Sequence, residues 1–150
     1  MLAGRAAVVV GGTRGIGLSV AELLAALGAR VVVNGRDPDA VSEAAQRVSG
    51  IGFPGSPADP HVADGLIDAC IAEFGRIDVL INCAGAAEPT GSSILNVTSG
   101  QFRELLDAHL GTAFEIARAA APHMVAQGGG AIVNTSSFAY LGDYGGTGYP

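Results

Sequence analysis

Ser136, Ser137, Tyr149 and His109 are the residues whose types and places in the chain suit proton chemistry. A tyrosine phenol can pass a proton to or from a substrate oxygen during hydride transfer. Its ordinary pKa is about 10, so it needs positive charge nearby to act near neutral pH. A serine hydroxyl can hold the same oxygen in place. Taken alone, Ser136 and Ser137 read equally well as a polar turn after a strand, and Tyr140 and Tyr144 compete with Tyr149. His109 shares a helical face with Phe102, Leu105, Leu106 and Ala113, a stripe predicted to face the core. On that placement alone it reads as a satisfied core histidine. His61 and His123 are isolated and form no metal-ligand spacing, so no metal site is expected. All eight basic residues are Arg, so a step that needs a lysine ammonium cannot be completed within these residues.

A second chemical feature stands near the start. Val8-Val9-Val10 is an apolar β-branched run that stops at Gly11, and helix-compatible residues begin at Ile16. The spacing between them is Gly11-x-x-x-Gly15-x-Gly17. A strand, a glycine turn and a helix start in that order make a pocket for a diphosphate. Glycines admit the ligand to the backbone, and the helix start offers unpaired N–H groups and partial positive charge. A tight strand-to-helix turn without a ligand would read the same way. Arg14 lies in this turn, and Arg36 lies two residues beyond the second strand; a carboxylate just after that strand would contact a ribose 2′-hydroxyl, whereas an arginine suits a 2′-phosphate. The carboxylate position itself is Gly35. Two guanidiniums near one expected phosphate favour NADP, with NAD second, unless both arginines are simply solvated. Asp37 reads first as a helix N-cap and second as a ribose ligand.

The elements that must position these groups alternate. Strands are predicted at Ala6–Val10, Arg30–Asn34, Ile51–Phe53, Val79–Asn82 and Ala131–Thr135. Helices are predicted at Ile16–Leu27, closed by Gly28, from Asp37-Pro38 to Val48, and from His61 to Phe74. A last helix opens on a capping box at Thr98-Ser99-Gly100-Gln101, runs unbroken to Val125, and ends at Gly128-Gly129-Gly130. The segments 54–60, 86–97 and 136–150 read as loops. Repeated β-α units imply an α/β doubly wound parallel sheet of Rossmann type, with helices on both faces in three layers. Ligands in such sheets bind beyond the carboxyl ends of the strands. The turns at Gly11–Gly17, Gly35-Arg36, Asn82–Gly85 and Ser136-Ser137 all fall at that edge.

With 49% apolar and 15% charged residues over 150 positions, the chain reads as one globular domain. No stretch approaches the roughly 20 apolar residues of a membrane span. Met1–Arg5 runs straight into a strand and does not read as a signal peptide. Two cysteines make no disulfide framework and point to a cytoplasmic setting. Cys83 is expected to pack beneath the crevice as a small apolar residue. A net charge of −6 argues against a nucleic-acid partner. A phosphotransferase P-loop is disfavoured because Leu18, not Lys, follows Gly17, and no G-x-S-x-G turn exists for a serine hydrolase.

The residues resemble the short-chain dehydrogenases/reductases over essentially the whole chain. Val10-Gly11-Gly12-Thr13-Arg14-Gly15-Ile16-Gly17 is similar to their T-G-x-x-x-G-I-G cofactor motif, with Val10 replacing the threonine. Asp78-Val79-Leu80-Ile81-Asn82-Cys83-Ala84-Gly85 is similar to D-x-L-V-N-N-A-G. Ile132-Val133-Asn134-Thr135-Ser136-Ser137 resembles the strand that carries the catalytic serine, and Gly148-Tyr149-Pro150 resembles the start of Y-x-x-x-K. The resemblance implies NADP-dependent exchange of hydride between a secondary alcohol and a ketone. It implies Tyr149 as acid/base and Ser137 as the group that orients the carbonyl. Gly11, Thr13, Arg14, Gly15, Ile16, Gly17 and Arg36 would hold the cofactor, and Asn82, Ala84 and Gly85 would line it. It also implies a homo-oligomer, dimer or tetramer.

The departures are specific. His109 stands where the family has a helix asparagine, which makes it a catalytic candidate and alters the usual water relay. Ser56 takes the place of an acidic residue expected near adenine, with Asp59 close by. The interval from Ser137 to Tyr149 is one residue shorter than usual, so Ser136 remains a rival. The sequence stops at Pro150, before the lysine and before the last strands of the family fold. The chain as given is therefore expected to have negligible dehydrogenase activity, with a non-catalytic dinucleotide-binding module as the alternative.

Overall fold

A computed structural model describes residues 1–86 and 95–137. Tyr140, Tyr144 and Tyr149 lie outside the described residues. Five parallel strands form one sheet in the order β3-β2-β1-β4-β5: β1 (Ala6–Val10), β2 (Arg30–Gly35), β3 (Ile51–Pro54), β4 (Val79–Asn82) and β5 (Ala131–Asn134). The helices are α1 (Gly15–Ala26), α2 (Pro38–Arg47), α3 (Pro60–Phe74), α4 (Ser99–Leu106) and α5 (Thr112–Ala126). The chain steps outward from β1 to β3, then returns to the other side of β1 with β4. The carboxyl ends of β1 and β4 therefore border a crevice at the point where the winding reverses.

The side chains of β1 and β2 sort by parity into two cores, as a sheet covered on both faces requires. Val8, Val10 and Val32 pack with Leu66, Ile67 and Cys70 of α3 and with Ile116, Ala120 and Met124 of α5. Val9, Val31 and Val33 pack with Ala21 of α1 and Ala44 of α2. This is the expected three-layer arrangement. Asp37 caps α2, accepting from the N–H groups of Asp39 and Ala40, and Pro38 opens that helix. Thr98 and Gln101 form both arms of the predicted capping box.

Two expectations fail in the last helix. It is not continuous: Asp107–Gly111 form a π-helical turn between α4 and α5. The wider turn inserts a residue into the α-helical register and rotates the face of α5 relative to that of α4. The Thr112 hydroxyl, on a buried side chain, reaches back to the carbonyl of Asp107. The stripe around His109 does not face the core either. Neither α4 nor the π turn has a buried residue, and Phe102 and Leu106 are 53% and 41% exposed. Core packing starts at Thr112 and continues through Ile116, Ala119, Ala120 and Met124.

Candidate functional site: a dinucleotide cleft

The carboxyl edge of the sheet holds a cleft of about 890 Å³. Its floor begins with the glycine turn. Gly11 and Gly15 have φ of +71° and +53°, in the left-handed region that favours glycine. A β-carbon on Gly11 would stand 2.8 Å from the backbone nitrogen of Ala84, and one on Gly17 would collide with the carbonyl oxygen of Gly11. The turn can therefore close against β4 and against its own helix only with glycine at both positions.

α1 is open at its N-terminus: Arg14 occupies the cap position and makes no side-chain cap bond. By contrast, Asp37, Asp59 and Thr98 cap α2, α3 and α4. An uncapped helix start facing a glycine cradle satisfies its orphan N–H groups with an anionic ligand. The residues present therefore fit a dinucleotide diphosphate.

Of the residues the sequence assigns to a cofactor, Gly11, Thr13, Arg14, Gly15, Ile16, Gly17, Arg36, Ala84 and Gly85 line the cleft. Arg14 and Arg36 are exposed, and among the described residues neither makes an ion pair. A β-carbon on Gly35 would lie 2.5 Å from Cγ2 of Thr13, so a carboxylate cannot stand there without displacing Thr13. Asp37 lines the cleft too, but its Oδ1 is engaged with the start of α2. Ser56 lines the wall, whereas Asp59 caps α3 through the N–H of His61.

Several placements correct or extend the sequence reading. Asn82 does not line the cleft. It is 4% exposed, accepts from the Ala84 N–H at 3.1 Å and donates to Asn134 Oδ1 at 3.3 Å, so it shapes the turn from behind. Cys83 is not beneath the crevice but part of its lining, with the Thr135 hydroxyl donating to its sulfur at 3.4 Å. Ser136 and Ser137 follow the end of β5, are exposed, and lie just past Thr135, which does line the cleft. His109 sits in the π turn with its ring against Gly85, where a β-carbon would meet Cε1 at 2.6 Å. It is thus a neighbour of the cleft wall and not a core residue.

Two groups have no role of their own in the sequence reading. Asn34 lines the cleft while almost fully buried, and its signal was a polar residue ending an otherwise β-branched strand. Asp78 forms an ion cluster with Arg5 and Arg76 at the opposite edge of the sheet, and Arg76 two places before it was the available hint. Among the described residues no cluster of side chains could hold a metal ion, and no helix is long and apolar enough to cross a membrane.

Comparison with known proteins agrees with this geometry. The family model for short chain dehydrogenase matches residues 5–149, and the chain belongs to that family. A 3alpha-hydroxysteroid dehydrogenase of Mediterraneibacter gnavus is 34% identical over an alignment of 158 residues that covers 100% of this chain and 62% of that protein. The short-chain reductase NovJ of Streptomyces niveus is 37% identical, with 95% of this chain and 56% of NovJ covered. A short-chain type dehydrogenase/reductase structure from Mycobacterium ulcerans superposes with a TM-score of 0.90 at 31% identity, covering 98% of this chain and 56% of that one. The chain thus spans little more than half the length of these relatives. Members of the family use NAD(P) cofactors.

Proposed function

We propose that this chain serves NADP-dependent hydride transfer between a secondary alcohol and a ketone. One observation carries the cofactor choice: Arg14 and Arg36 both line the cleft without ion-pair partners among the described residues, and Thr13 fills the space a ribose-binding carboxylate would need at Gly35. When bound, the nicotinamide supplies or accepts the hydride. The chain's own part is to seat the diphosphate on the open start of α1, to meet a 2′-phosphate with guanidinium, and to shape the inner wall with Ala84 and Gly85. Ser137 would hold the substrate oxygen, Tyr149 would exchange its proton, and His109 would support the cleft wall at Gly85.

The reading extends to assembly and setting. A second copy of the chain is the proposed partner, supported by Phe102, Leu106, Leu110 and Phe114, which recur every fourth residue and are exposed. A cytoplasmic setting is supported by two free thiols, Cys70 and Cys83. A small-molecule alcohol or ketone is the proposed substrate class.

Titration of the parent and of Arg36→Ala with NADP and NAD tests the cofactor assignment. Loss of a charge-assisted contact costs about 1.5–3 kcal/mol, so NADP affinity should fall roughly 10- to 100-fold while NAD affinity holds. An unchanged ratio of the two affinities would reject the assignment and promote Asp37 as a ribose ligand. A second reading is dinucleotide binding without catalysis, supported by the glycine turn and the uncapped start of α1, which need no catalytic group. Cofactor binding with no turnover of any ketone by a chain extended to its relatives' length would decide for it.

A further inference from the structure

We infer that Asn34 is a positioning residue that sets the adenosine half of the cleft by tying two of its walls together. The inference rests on the dinucleotide reading above. Asn34 is the penultimate residue of β2 and only 1% exposed. It shares a sheet face with Val32, so an apolar side chain would be the simple choice there. A buried amide is retained at little cost only when its hydrogen bonds are made. Its Nδ2 donates to the carbonyl of Phe53 at 2.8 Å and to that of Gly55 at 3.1 Å. Its own main-chain carbonyl accepts from the N–H of Gly12 at 2.9 Å. One residue thereby connects the diphosphate turn, through its backbone, to the Gly55 turn, through its side chain.

That second turn needs a tie. β3 is the edge strand, and its register with β2 runs out at Gly35 opposite Pro54, which has no N–H to give. Gly55 then departs with φ of +131°, held by its N–H to the Gly35 carbonyl at 2.9 Å. A β-carbon there would stand 2.8 Å from Cγ1 of Val62, so the turn is already pressed onto α3. Gly55, Ser56 and Pro57 line the cleft, and so does Arg36, the neighbour of Gly35. Without the Asn34 amide, two part-buried carbonyls lose this donor and the wall is free to move relative to the glycine turn. The arginines would still be present, but the distance between phosphate turn and adenosine wall would no longer be fixed.

The test compares ligands that use different halves of the cleft. Calorimetric titration of the chain and of Asn34→Ala with NADPH, adenosine 2′,5′-bisphosphate and nicotinamide mononucleotide should show roughly tenfold weaker binding of the first two and no change for the third. Amide exchange at Gly55 and Ser56 should quicken in the variant while that of β1 does not. If circular dichroism shows that Asn34→Ala does not fold, Asn34→Ser, which keeps one donor, takes its place with a smaller loss of the same selectivity. Unchanged adenosine-ligand affinity, or equal losses for both halves, overturns the inference. So does unprotected exchange at Gly55 in the parent chain. Failure of the parent to bind NADPH and adenosine 2′,5′-bisphosphate overturns the dinucleotide reading itself, and this inference with it.

Discussion

Nε2 of His109 lies 3.2 Å from the carbonyl oxygen of Ala86 and 3.3 Å from its backbone nitrogen. One ring nitrogen cannot serve both at once. Protonated, it donates to the carbonyl; bare, it accepts from the N–H. In either form the imidazole holds the main chain beside Gly85, a residue of the cleft wall. The π turn is what presents it: five residues, Asp107–Gly111, take the space of a tighter α-helical turn and set the ring over Gly85 instead of along the exposed Phe102–Leu106 face.

His109→Ala should therefore weaken dinucleotide binding about fivefold, the equivalent of roughly 1 kcal/mol for one lost hydrogen bond. Gly85→Ala should do the same by pushing the ring away. Calorimetry on both variants checks this. Parent-like affinity in both would show that the Gly85–Ala86 segment is held by other groups.

The distribution of strands and helices was legible because parity and capping are local. Val8–Val10 and Val31–Val33 could only be buried strands, and Asp37-Pro38 or Thr98 with Gln101 announce helix starts by side-chain chemistry alone. The glycine turn was legible because left-handed φ at Gly11 and Gly15 leaves a compositional trace. The π turn was not, because Asp107-Ala108-His109-Leu110-Gly111 has no residue that favours it over an α-turn, and its His109 meets Gly85 and Ala86, far away in sequence. The same holds for Asn34, whose carbonyl partners sit on β3 and in the turn after it, 19 and 21 residues later. Asn82 was misplaced for a related reason. Motif similarity puts it in the site, and only the paired bonds to Ala84 and Asn134 show that it stands behind the lining.

Asp78 anchors the edge of the sheet away from the cleft. Its carboxylate, 7% exposed, takes bonds from Arg5 at 2.7 Å, from Arg76 at 2.6 and 2.7 Å, and from the N–H of Ala6 at 2.9 Å. Burial pushes this carboxyl up, but the bonds from Arg76, Ala6 and Arg5 outweigh it and hold the group well below the usual carboxylate range. A depressed folded-state pKa gives stability that is complete above the unfolded value of about 3.9 and is lost as pH falls toward the folded value. Asp78→Asn should cost about 2 kcal/mol near neutral pH, since it strips donors of their acceptor. Its melting temperature should then fall less than the parent's between about pH 5 and pH 3, because the titrating group is gone. Dinucleotide affinity should be unchanged. Parallel acid transitions in the two proteins would place the acid-sensitive group elsewhere.

The two thiols should separate cleanly by reactivity. Cys70 is fully buried in the core beside Leu66 and Ile67, with its sulfur 3.4 Å from the carbonyl of Arg76. Burial pushes its thiol up to about 12, Arg30 drawing it down and Asp78 adding to the rise only as smaller influences. Thiolate is the reacting species, so Cys70 is inert while the fold is intact. Cys83 is partly exposed and lines the cleft, and among the described residues the one polar contact of its sulfur is the weak bond from Thr135. N-ethylmaleimide should therefore label Cys83 alone in the native chain and both cysteines in denaturant, as peptide mass spectrometry would show. NADPH should slow the labelling of Cys83 by covering the lining. The sulfur has no base beside it among the described residues, so Cys83 is expected to act as a packing group and not as a catalytic nucleophile. Cys83→Ala should keep dinucleotide affinity within about tenfold, or roughly 1.4 kcal/mol. Native labelling of Cys70 at a comparable rate would mean that α3 opens from the sheet, and NADPH without effect on Cys83 would mean that the ligand does not reach the turn after β4.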